Sequence, residues 1–176
     1  MMKGVMINEQ KTLRKIRIYL ILFLLAFVFS LHMVVFIETD AELLAKYVGH
    51  DTFMEELSPS ISAWMEHLNL AVSETYSSYP LIAYCMDWLC YAFVVIAIFL
   101  LGAIKDPVKN VWVVQVFLVA CCLGLILPFI VGPIRDIPIF WRFFDSSFGL
   151  IGLLFLLLPY RLIRKLEALH HTESTD

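Results

Sequence analysis

Charge is what this chain has least of. Only 16% of its 176 residues are charged, while 61% are hydrophobic; soluble domains average about 25% and about 45–50%. A chain of this length cannot bury so much apolar surface in one water-soluble core, so lipid must solvate part of it. The net charge is only −3, and no basic patch interleaved with aromatics occurs, which argues against a nucleic-acid partner. No serine, histidine and acid stand in a catalytic order, and no glycine-rich phosphate loop is present. Neither an enzyme class nor a cofactor is therefore indicated. Cysteine is scarce as well. Cys121 and Cys122 are adjacent, and Cys85 and Cys90 are not spaced as C-x-x-C, which argues against thiol–disulfide chemistry. Neighbours in a helix point about 100° apart, so these thiols are read as small apolar residues. Repeats and low-complexity stretches are absent too.

What the chain does have is four long apolar runs. They cover Ile18–Ile37, Leu81–Ile104, Val111–Gly132 and Ser146–Ile163, each close to the roughly 20 residues that cross a bilayer. The first run exceeds the roughly 7–15 residues of a signal-peptide core. It ends "VVFIETD" without a small-x-small cleavage site, so it is read as a retained span. The expectation is one integral membrane domain over residues 1–176, an all-α four-helix transmembrane bundle. Its connections are an outer lid at 38–80, a short "KDPVKN" turn, an outer loop at 133–145 and a tail at 164–176. His170 and His171 fall in that polar tail, which is expected to be disordered. Asp106–Pro107 breaks the helix, making the second and third spans a tight antiparallel hairpin.

Lys and Arg set the orientation. Lys3, Lys11, Arg14, Lys15 and Arg17 precede the first span, Lys105 and Lys109 follow the second, and Arg161, Arg164 and Lys165 close the fourth. Only Lys46, Arg135 and Arg142 fall on the other side. The positive-inside rule then places both termini in the cytoplasm. The lid would be extracytoplasmic and is read as two short helices. Thr39 with Glu42 resembles a capping box, Gly49 stops that helix, and Ser58–Pro59 reads as N-cap and N1 of the next. Ile61, Trp64, Met65, Leu68 and Val72 have helical spacing. The lid is acidic, with eight carboxylates from Glu38 to Glu74 against Lys46 alone. Lipid-binding helices are basic, so this lid is expected to cover protein.

Ionisable residues within spans mark functional candidates. His32 lies five residues before the outer end of the first span, roughly 7–8 Å deep at ~1.5 Å per residue. Asp87 lies six residues into the second span, roughly 9 Å deep. The stretch "GPIRDIPIFWRFFDSSFG" places Arg135, Asp136, Arg142 and Asp145 over the same end, and Glu38 closes the first span there. An aspartate at that depth needs a partner, and a guanidinium can bridge two carboxylates. The expected site is a polar cluster of His32, Glu38, Asp87, Arg135, Arg142 and Asp145. Trp88, Trp141, Tyr79 and Tyr84 fit an aromatic belt at that interface. Gln115 is read as an interhelical hydrogen-bonder, and Gly149 and Gly152 as points of close helix approach. Metal is a weaker reading. His50 and His67 stand among Asp51, Glu55 and Glu66, but neither H-x-x-x-H nor H-E-x-x-H spacing occurs.

"YCMDWLCYAF", "KDPVKNVWVVQ" and "GPIRDIPIFWRFFDSSFG" together resemble a group of small uncharacterised bacterial membrane proteins with four spans, over roughly Tyr84 to Lys165. The resemblance implies that architecture and a bacterial inner membrane, and it implies no activity. Two functions fit the residues. One is a multi-pass protein with an outward-facing polar pocket that binds or passes a small polar or anionic solute, an ion or a proton. The other is a non-catalytic subunit or assembly factor whose charges serve helix packing and contact with a membrane protein partner or a second copy.

Overall fold

The computed structural model describes residues 2–173, with side chains described for 9–169. Seven helices and no strand occur among the described residues: α1 Met2–Val35, α2 Ile37–Val48, α3 Phe53–Leu57, α4 Pro59–Ser78, α5 Pro80–Lys105, α6 Val111–Ile134 and α7 Ile139–Glu173. Four stretches are long and apolar enough to cross a membrane: Glu9–Val35, Pro80–Lys105, Val111–Ile134 and Ile139–Leu169. The described fold is therefore all-α, with four helices long and apolar enough to cross a membrane. The chain forms two compact units, one of Met1–Phe27 with Ile96–Asp176 and one of Val28–Val95.

In the first unit each of four helices contributes one apolar stripe to a common core. Ile16, Leu20 and Phe23 of α1 meet Leu100 and Ala103 of α5, Val113, Val114 and Phe117 of α6, and Leu156, Ile163 and Leu166 of α7. The three- and four-residue steps keep each stripe on one helix face. Phe117 anchors α6 edge-on to Phe23 at 5.2 Å and to Phe27 at 5.7 Å between ring centroids. Gln115 lies 3.4 Å from the Tyr160 hydroxyl, a long α6–α7 hydrogen bond, in keeping with its reading from sequence.

The α6–α7 contact is closer than large side chains would allow. A Cβ on Gly149 would stand 2.7 Å from the Cys121 carbonyl oxygen and 2.9 Å from the Leu125 nitrogen. Ser146 Oγ donates to the Leu125 carbonyl at 3.0 Å. Ser146, Gly149 and Gly152 thus form a small-residue face at three-residue intervals, which lets the two backbones nearly touch.

The α5–α6 hairpin is tight, as its Asp-Pro dipeptide predicts. Asn110 Nδ2 donates to the carbonyls of Gly102 at 3.1 Å and Asp106 at 3.0 Å, satisfying the end of α5.

The turn joining α6 to α7 is much shorter than the expected 133–145 loop. α6 runs through Pro133 to Ile134, and α7 starts at Ile139, where Pro138 supplies carbonyl acceptors for the Trp141 and Arg142 amides. The charges at 142 and 145 therefore lie on a helix and not in a loop. Asp136 takes a left-handed conformation with φ 54°. The Ile137 amide bonds the Gly132 carbonyl at 2.9 Å, and the Asp136 amide reaches Pro133 at 3.5 Å. This pair of bonds is a Schellman closure with aspartate in the position glycine usually takes.

The second unit corrects the lid reading in two ways. The segment after the first span holds three helices, α2, α3 and α4, where the sequence reading has two. And Thr39 does not cap α2, which begins at Ile37 after Phe36. The Phe36 amide bonds His32 O at 3.0 Å, and the Asp40 amide bonds Phe36 O at 2.8 Å. Carbonyls of α1 and the joint satisfy these amides, so no side-chain cap is needed. Ser58 does precede Pro59 at N1, though its hydroxyl makes no capping bond. α2 packs on α4, with Ala41 and Ala45 buried on one helix and Ser62 and Met65 on the other. α7 continues past residues 170 and 171 to Glu173; the side chains of His170 and His171, and residues 174–176, lie outside the described part.

Candidate functional site

The six residues expected to cluster divide between the units. His32, Glu38 and Asp87 belong to the second; Arg135, Arg142 and Asp145 belong to the first.

In the second unit, His32 occupies the last turn of α1. Its ring stacks on Phe29 at 6.5 Å and meets Phe36 at 4.7 Å. Its Nδ1 lies 3.8 Å from Asp40 Oδ2, and the histidine is half exposed. That distance is too long for a hydrogen bond, so attraction requires a protonated imidazole. Asp40 Oδ2 is buried without a hydrogen-bond donor among the described residues. Sequence reasoning missed Asp40, although eight residues of nearly continuous helix separate it from His32.

Tyr76 of α4 belongs to the same unit as Glu38 and Asp87. Burial, then the Glu38 carboxylate, then the Asp87 carboxylate push the Tyr76 hydroxyl above its ordinary pKa. Glu38 and Asp87 are both exposed, and Tyr76 is half-buried. Tyr76 was also missed, but a signal existed: it extends the α4 stripe Leu68–Val72 by one further four-residue step.

The α2–α3 turn forms a separate polar knot. His50 Nδ1 lies 2.8 Å from Glu55 Oε1, and the Asp51 amide donates to Glu55 Oε2 at 2.7 Å. The His50 amide donates to Glu66 Oε1 at 3.1 Å, and Thr52 Oγ1 donates to the Gly49 carbonyl at 2.7 Å. The hydrogen bond to Glu55 and then its charge raise the His50 pKa, while the bond to His50 lowers that of Glu55. The other candidate ligand, His67, stacks near Trp64 at 5.5 Å. Among the described residues, no group of three or more His, Cys, Asp or Glu side chains is placed to hold a metal ion.

In the first unit, Arg142 closes the α6–α7 turn. Its Nε donates to the Ile137 carbonyl at 2.6 Å. Its aliphatic stem lies so close over Gly132 that a Cβ there would stand 2.8–2.9 Å from Cγ, Cδ and Nε. Arg135 is exposed at the C-cap of α6, and Asp145 is half-buried one turn beyond Arg142. Arg142→Gln is expected to destabilise the protein by about 1–3 kcal/mol, since it removes a charged donor and leaves a carbonyl unsatisfied. Thermal unfolding in detergent measures this, with Arg135→Gln, which removes an exposed charge, as the silent control.

Compared with protein-family models, with curated proteins and with solved structures, the chain matches none.

Proposed function

We propose that the protein is a non-catalytic multi-pass protein of the bacterial inner membrane, with both termini cytoplasmic. Its second unit faces outward and binds or passes a small polar solute. The orientation rests on the ten cationic residues that the four spans leave on one side. The solute reading rests on Asp87, an acidic side chain within a helix long and apolar enough to cross a membrane. A carboxylate seven residues into a membrane helix calls for a counter-group. Glu38 and Asp87 are both acidic and both in the second unit, which favours a cation or a donor-bearing neutral molecule over an anion. Arg135 and Arg142, the cations expected to serve an anion, belong to the first unit.

A second reading, a membrane subunit or assembly factor, draws on apolar side chains outside the four spans. Tyr47 is 68% exposed, Phe53 75%, Leu57 67% and Leu70 61%, and exposed large apolar groups of this kind favour protein contact.

One experiment separates the readings. The full chain in detergent is unfolded thermally with potassium, magnesium or choline chloride at matched ionic strength. The solute reading expects one cation to raise the Tm, and Asp87→Asn with Glu38→Gln to abolish the rise. A flat response across the panel rejects it. Co-purification of a second membrane protein from native membranes would then favour the assembly reading.

A further inference from the structure

The first unit contains a cavity of about 450 Å³ that the site above does not use. Glu9, Leu13 and Arg17 of α1 line one side, and the α5–α6 turn with Lys105, Asp106 and Lys109 lines the other. Three cations therefore stand against two carboxylates. Arg17 is fixed in place, because its Nη2 donates to the Lys105 carbonyl at 3.1 Å. One of its five N–H donors is used in that bond, and the guanidinium keeps further donors for a ligand. Asp106 is engaged locally, since its Oδ1 accepts the Lys109 amide at 3.2 Å. Its charge therefore acts first within the turn.

Depth narrows the ligand. Arg17 immediately precedes the apolar run that starts at Ile18, and Lys105 is the last residue of the apolar helix α5. Both cations thus mark the boundary where hydrocarbon gives way to water. Lipid phosphates lie at that level, and basic pockets between membrane helices bind anionic headgroups. A forked guanidinium suits phosphate oxygens, with lysine ammonium groups as point charges beside it. α6 begins two residues beyond Lys109, and its N-cap Asn110 makes no side-chain capping bond to it. The positive end of the helix dipole therefore adds to the field at this turn.

The geometry points to a phosphate-binding site between α1 and the α5–α6 turn, filled by the headgroup of an anionic phospholipid or by free phosphate. The test uses the purified full chain in an uncharged detergent. Thermal unfolding and native mass spectrometry follow the addition of phosphatidylglycerol, phosphatidylcholine or inorganic phosphate at fixed ionic strength. A saturable rise in Tm with phosphatidylglycerol but not with phosphatidylcholine identifies the lipid as the source. A rise with inorganic phosphate alone identifies the free anion. In both cases Arg17→Gln and Lys109→Gln each weaken binding about tenfold, the scale of one lost charged contact. Lys109→Gln keeps the backbone bond to Asp106, so it carries the test if Arg17→Gln does not fold. No response to either phosphate source overturns the proposal, as does equal binding by wild type and Lys109→Gln.

Discussion

Gly149→Ala is expected to force α6 and α7 apart and to destabilise the protein by about 1–3 kcal/mol, the range for overpacking a closed contact. The added methyl has no flexible neighbour to displace. Its closest atoms are the Cys121 carbonyl oxygen at 2.7 Å and the Leu125 nitrogen at 2.9 Å, both backbone. The helices can accommodate it only by separating, which stretches the Ser146–Leu125 hydrogen bond and opens the seam. Two internal controls make the result specific. Gly124 faces the same seam, but its nearest neighbour is Gly149 Cα at 3.8 Å, so Gly124→Ala is tolerated. Gly102 has nothing within 4 Å, and there Gly→Ala in a helix is expected to stabilise by about 0.5–1 kcal/mol. Unfolding of the three variants in detergent should therefore rank Gly102→Ala above Gly124→Ala, with Gly149→Ala far below both. Equal midpoints for all three would refute the close seam.

Gly49→Ala carries the second large effect, in the other unit. A Cβ at this position would collide with the Ala45 carbonyl, the acceptor that ends α2, and with the Glu66 carboxylate. The turn must re-form, and the His50 amide loses Glu66. A loss of about 1–3 kcal/mol follows from the steric conflict. The electrostatic readout is sharper. His50 is raised above its ordinary 6.5 and Glu55 lowered below its ordinary 4.5 by their mutual contact. A raised histidine adds stability that is complete below 6.5 and lost as pH climbs through its higher folded value. A lowered glutamate adds stability that is present above 4.5 and lost as pH falls through its lower folded value. The contact is therefore fullest between about pH 4.5 and 6.5. In Gly49→Ala the His50 titration, followed by NMR, is expected to return toward 6.5, and unfolding of this unit should lose its weakening above that window. A His50 titration unchanged from wild type would show that the turn does not need glycine.

The four long apolar helices were legible in the sequence because a helix able to cross lipid needs a long, uninterrupted apolar run, and such runs are visible without any tertiary knowledge. The small residues Gly149 and Gly152 were also legible as points of close approach. Their partners, the backbone around Cys121 and Leu125, were not, because a carbonyl carries no sequence signal. The same reason hid the role of Arg142. Read as a free cation seeking a carboxylate, it donates to the main chain of Ile137. The capping-box pattern at Thr39 misled because the joint at Phe36 keeps the helical bonds running, so no side chain is needed there. The run Gly132–Asp145 looked like a loop because it mixes charges with prolines, yet Pro138 starts a helix. In the second unit, Glu38 and Asp87 were selected as candidates from charge alone. Tyr76 was passed over because a phenol on an apolar stripe looks like any other packed aromatic.

The adjacent thiols of α6 have a practical consequence. Cys121 lies against Gly152, inside the seam, whereas Cys122, one residue on, is exposed. Both thiols sit in an apolar span, where a thiol stays protonated and slow to alkylate, so their alkylation reports unfolding of α6 without any foreign probe.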